Sequence, residues 1–80
     1  MYPLIKLKAN QRGVIRALRG GHRFIARMAS LGFTPGAVVT MTRNDGFGPV
    51  IVSVRGTRVA LGRGEANRVL IVTPQGGHLD

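Results

Sequence analysis

Residues 19–36 read RGGHRFIARMASLGFTPG, and the way this stretch divides decides the fold. Arginines at 12, 16, 19, 23 and 27 recur every three or four residues, which is the spacing of one face of a long helix. Glycine excludes that reading. Gly13 and the pair Gly20-Gly21 would fall inside the helix, each costing about 1 kcal/mol against alanine, and β-branched Val14-Ile15 sits better in a strand. The stretch therefore predicts a strand from Gly13 to Leu18, a turn at Gly20-Gly21 and a separate α-helix from His22 to Leu31. In that helix Phe24, Ile25, Met28 and Leu31 form an apolar stripe, with Arg23, Arg27 and Ser30 on the other side. Its end is well marked: Gly32 suits a left-handed residue after the last turn, Phe33 can fold back onto that turn, and Pro35 bars continuation. Thr34-Pro35-Gly36-Ala37 then has the residues of a type II turn.

Everything after Gly36 is β in character. Val38 to Arg43 alternates Val39 and Met41 against Val38, Thr40 and Thr42, and residues 44–49, Asn-Asp-Gly-Phe-Gly-Pro, form a loop by composition. Val50 to Arg55 alternates Val50, Val52 and Val54 against Ile51, Ser53 and Arg55. A tight return at Gly56-Thr57 leads into Arg58 to Leu61, with Val59 and Leu61 inward. Gly62 to Arg68 predicts a turn or one short helical turn with Ala66 inward, and Val69 to Val72 a last strand. The expected fold is mainly β: a small, strongly bent sheet of about five short strands, closed or nearly closed into a barrel, with one inserted helix. Barrels of the SH3-like and OB kinds both fit this length. The domain is expected over residues 1–73, with a flexible tail from Pro74 to Asp80.

The 80 residues carry twelve Lys and Arg against three Asp and Glu, a net charge of +9. That points to anionic partners: nucleic acid, anionic lipid or an acidic protein face. Hydrophobic residues make up 44% of the chain, enough for a thin core and too many for a disordered chain. The charge is uneven. Eight basic residues and no acid precede Asp45, whereas four arginines face three acids from Asp45 onward. Without cysteine there is no disulfide frame, thiolate cage or Cys nucleophile. Met1 to Lys8 lacks the apolar run of a signal peptide and no stretch approaches a membrane helix, so a soluble cytoplasmic protein is expected.

Residues able to carry chemistry are few. Asp45, Glu65 and Asp80 are isolated in sequence, Ser30 and Ser53 lack a nucleophile-elbow setting, and His22 and His78 lack the paired spacing of a zinc site. Neither lysine, Lys6 nor Lys8, follows the glycine pattern of a phosphate-binding loop. No enzyme, metal site or cofactor is expected. A basic nucleic-acid-binding barrel is the alternative, but four aromatics are too few for a stacking surface, since Phe24 and Phe33 belong to the helix and its end and only Tyr2 and Phe47 remain.

The run Leu31, Gly32, Phe33, Thr34, Pro35, Gly36, preceded by a basic amphipathic helix and followed by Val38-Val39, resembles the signature of the FeoA family, the ferrous iron transport proteins A. Leu4 to Gly13 resembles the start of that family. Residues 49–56, ending in Arg55-Gly56, resemble its hairpin strand, and Val59 to Ala66 with Val69 resembles its close. Gly62-Arg63-Gly64 departs from the longer side chains usual there. The resemblance covers about Leu4 to Val72. It implies an SH3-like barrel with an inserted helix and a non-enzymatic accessory role in ferrous iron uptake, acting on FeoB, a membrane protein with a cytosolic GTP-binding domain and an Fe²⁺ channel. Related domains at the C-terminus of metal-dependent repressors account for the description of the family as transition-metal-binding. No ligand set in this sequence matches such a site.

The residues themselves add a candidate surface. Arg23 and Arg27 lie one turn apart on the outer side of the helix, and Arg12, Arg16 and Arg19 lie on the strand before it. Together they are expected to offer a basic face to an acidic cytosolic surface or to anionic headgroups at the inner face of the membrane. A weak homo-oligomer is compatible with this reading; a specific nucleic-acid partner is not expected.

Overall fold

A computed structural model describes residues 1–73. Six strands and two helices run in the order β1 (Tyr2–Pro3), a 3-10 turn (Leu4–Lys6), β2 (Arg12–Leu18), α1 (His22–Ser30), β3 (Val38–Arg43), β4 (Val50–Val54), β5 (Thr57–Leu61), α2 (Arg63–Ala66) and β6 (Val69–Val72). All pairings are antiparallel, in the spatial order β1-β6-β2-β3-β4-β5. Period-2 alternation holds as expected: Val39 and Met41 of β3, Val50, Val52 and Val54 of β4 and Leu61 of β5 are buried together with Ile15, Phe33, Val69 and Ile71. Register shifts between Ile15 and Ala17 and between Met41 and Arg43 mark bulges, which bend the strands and curl the sheet around this core.

The sheet differs from expectation in three ways. Among the described residues it does not close through hydrogen bonds: β1 and β5 are its edges, and the Leu4–Lys6 turn packs against α2. The sixth strand is β1, whose two residues pair with Leu70 and Ile71. Leu4, which opens the 3-10 turn, and Leu7, the extended residue that closes it with its N–H on Leu4 O, are both fully buried, and a segment with no strand or helix pattern thus contributes two core side chains. Third, the β4–β5 return lies one residue earlier than Gly56-Thr57. Thr57 pairs with Val54, and the two-residue turn is Arg55-Gly56, with φ of 48° and 78°. Positive φ at both central residues is the geometry whose twist matches a two-residue hairpin. The reading of residues 74–80 as a flexible tail, with His78 and Asp80, lies outside the described residues.

Candidate functional site

The chain leaves α1 through a tightly bonded corner. Leu31 caps the helix rather than extending it, and Gly32 follows with φ of 98°. The Gly32 N–H donates to Ala29 O at 3.0 Å and the Phe33 N–H to Met28 O at 2.9 Å, which satisfy two of the carbonyls left without a partner by the helix end. Ala37 N–H closes the following turn on Thr34 O at 3.0 Å, with Gly36 at φ of 91° as a type II turn requires. Phe33 is fully buried, while Pro35 and Gly36 are exposed. From the tip of the β4–β5 hairpin Arg55 reaches this corner, its Nε donating to Gly32 O at 3.3 Å and its terminal nitrogen to Thr34 Oγ1 at 3.0 Å. Leu31, Gly32, Phe33, Thr34, Pro35 and Gly36 thus form a backbone device held at both ends.

The other end of α1 is built differently. Gly21 is the N-cap and offers no side-chain hydrogen bond, and the first turn contains no acid but does contain His22 and Arg23. Positive charge there opposes the helix dipole, which favours anions at this end. Phe24 packs down on Gly20, where an added Cβ would stand 2.6 Å from the ring, and the Arg68 guanidinium lies 4.5 Å from its centroid. Arg19 joins the same corner, its N–H donating to Arg68 O at 2.8 Å.

The five expected arginines come from three consecutive segments: β2, the link after it, and α1. Arg12 and Arg16 stand exposed on β2, Arg12 across from Thr40 in the sheet. Arg19 and Arg23 flank the start of α1. Arg27 is exposed but donates to Glu65 Oε2, and Glu65 Oε1 accepts the Gly62 N–H at 3.2 Å, which ties α1 to α2. Asp45 is paired with Arg43 at 2.8 Å. Both acids among the described residues are thus engaged internally. Arg12, Arg16, Arg19 and Arg23 make no side-chain hydrogen bond or ion pair among those residues, so their charge is open to a partner.

Arg55, Asn44 and Glu65 were not singled out by the sequence as a site. Asn44 Nδ2 donates to Ile5 O at 2.9 Å and Leu7 O at 3.0 Å, and its Oδ1 accepts from Arg63 at 3.1 Å, so one amide ties the N-terminal turn to α2. No local spacing encodes such contacts. The aromatics are scattered: Phe33 is buried, Phe24 is covered by Arg68, Tyr2 packs against the core and Phe47 stands alone on the β3–β4 loop, 78% exposed. They form no row on which bases could stack. Among the described residues no three His, Asp or Glu side chains come together as metal ligands, and no helix is long and apolar enough to cross a membrane.

Comparison with known proteins agrees with this architecture. A family model described as the FeoA domain matches residues 2–73. A candidate Fe(2+) transport protein A of Methanocaldococcus jannaschii is 32% identical over 71 residues, covering 89% of this chain and 85% of the relative. The crystal structure of an iron uptake regulatory protein, FeoA, superposes with a TM-score of 0.82 at 36% identity, over 86% of this chain and 92% of that one. The zinc-complexed FeoA of Stenotrophomonas maltophilia, described as a procaryotic SH3 domain protein, superposes with a TM-score of 0.79 at 30% identity over 89% of each chain. The fold is SH3-like, mainly β with one inserted helix, and the chain belongs to the FeoA family.

Proposed function

We propose that this protein is a non-enzymatic accessory factor of ferrous iron uptake that docks, from the cytoplasmic side, on the cytosolic part of a FeoB-type membrane GTP-binding transporter. FeoA proteins serve ferrous iron transport, and the Stenotrophomonas maltophilia relative is described as a candidate activating factor for it. The observation that carries the reading is the start of α1. Among the described residues Arg19 and Arg23 stand there without an ion pair, at the helix pole that favours anions, while both described acids are engaged elsewhere. Arg12 and Arg16 extend the positive field along β2, which speeds encounter with an acidic surface. Arg27, paired with Glu65, contributes less. The test is copurification of the tagged protein from crosslinked membranes. Recovery of a GTP-binding iron transporter with the parent protein, and its loss with Arg19→Glu plus Arg23→Glu, is expected; equal recovery of the transporter with both proteins sinks the reading.

A further inference from the structure

The two edges of the sheet are unequal. β1 is two residues long and one of them is Pro3, which has no N–H, so this edge is a poor template for another strand. β5 has five residues, contains no proline, and runs against β4 without a register shift. With Val54 and Thr57 flanking a two-residue turn, Thr57, Val59 and Leu61 direct their N–H and C=O groups to β4. Arg58 and Ala60 direct theirs outward. Both residues are exposed, and neither makes an outward backbone bond among the described residues. Val59 is only half-buried, as expected of an inward side chain beside a missing neighbour.

A groove lies beside this edge. Phe47, Pro49, Ile51 and Ala60 line it with Arg43 and Asp45, enclosing about 350 Å³. Phe47 is held there by a loop in which Gly46 and Gly48 have φ of 90° and 70°. The Arg43–Asp45 pair leaves the groove locally neutral, whereas Arg58, on the same outer side of β5 as Ala60, has no acidic partner among the described residues. We propose that β5 accepts an extended, acidic segment of a partner protein as an added strand, with one apolar side chain of the segment in the groove beside Ala60 and a carboxylate beside Arg58. Main-chain bonds to Arg58 and Ala60 supply affinity, and the alternating side chains supply selectivity. A second copy of this chain is disfavoured as occupant because each copy carries a net charge of +9. The inference goes beyond the transporter reading, since it concerns a different surface and names the partner by its chemistry.

The probe is a blocked synthetic peptide, Ser-Thr-Glu-Val-Phe-Thr-Ser, together with its reversed sequence so that both strand directions are covered. Titration of the full chain is expected to slow amide exchange at Arg58 and Ala60 selectively. Ala60→Pro removes an N–H that the β4 pairing does not use and is expected to abolish binding. Arg58→Glu is expected to weaken it about three- to fivefold, the scale of an exposed ion pair. Phe47→Ser alters an exposed side chain and is expected to weaken binding with melting unchanged, so the proposal does not depend on whether the proline variant folds. No saturable binding of either peptide, equal binding when Lys replaces Glu, protection elsewhere on the sheet, or an edge-dependent dimer without peptide binding would each overturn it.

Discussion

The two ends of α1, a helix of nine residues, follow opposite principles. At the C-terminal end the carbonyls of Arg27, Met28 and Ala29 each find a donor, a buried aromatic follows at once, and Arg55 crosses from another hairpin to hold the corner. At the N-terminal end there is no capping side chain and no acid in the first turn, and the Arg19 and Arg23 side chains make no ion pair among the described residues. A chain selected only for stability would place Asp or Glu there. The difference teaches where this small domain holds its shape and where it keeps charge available for something else.

The strongest way to break the comparison is to remove Phe33. Phe33→Ala empties a fully buried site and should cost about 3–5 kcal/mol, enough to unfold much of so small a domain, which chemical denaturation would show directly. Arg55→Ala should cost about 1–2 kcal/mol, because the two hydrogen bonds that Arg55 donates to Gly32 O and Thr34 Oγ1 are lost, although Gly32 O keeps the Thr34 N–H. Arg55→Gly should be milder by about 1 kcal/mol, since glycine takes the positive φ without strain; equal losses in the two variants would show that backbone strain at the turn is unimportant. Tyr2→Phe lies far from either end of the helix in sequence. The Tyr2 hydroxyl is buried without a hydrogen-bond partner among the described residues, so its removal should raise stability by about 1 kcal/mol and leave transporter recovery unchanged. That variant shows whether added stability alone affects docking. Arg23→Glu should have the smallest effect on folding, a gain of about 0.3–1 kcal/mol from the helix dipole, read as a higher melting temperature.

The helix end and the strand faces were legible because both are local. Gly32, Phe33 and Pro35 have backbone reasons for their positions within one turn of the chain, and the alternation of Val50, Val52 and Val54 needs no knowledge of a partner strand. What was missed depends on contacts between distant segments. Leu4 and Leu7 enter the core from a turn whose pattern resembles neither helix nor strand, and Asn44 fixes that turn through carbonyls 39 and 37 residues away. Ile25 was expected in the apolar stripe but is 41% exposed, because Phe24 and Met28 alone face the sheet on so short a helix. The sequence pattern puts the hairpin turn one residue late because arginine is an unusual occupant of a positive-φ position. Of the basic face, its charge was legible and its division was not. Arg27 lies one turn from Arg23, yet the acid that pairs with it comes from α2, 38 residues on.

The most direct test of the central claim compares Arg23→Glu and Arg27→Glu in the same two measurements, melting temperature and recovery of the transporter from crosslinked membranes. If the start of α1 is a docking surface, Arg23→Glu loses recovery while its melting temperature stays level or rises. Arg27→Glu, which sets two carboxylates against each other beside α2, melts lower and loses less recovery. Undiminished recovery with Arg23→Glu, at any melting temperature, would contradict the claim that the unpaired charge at this end of the helix serves a partner.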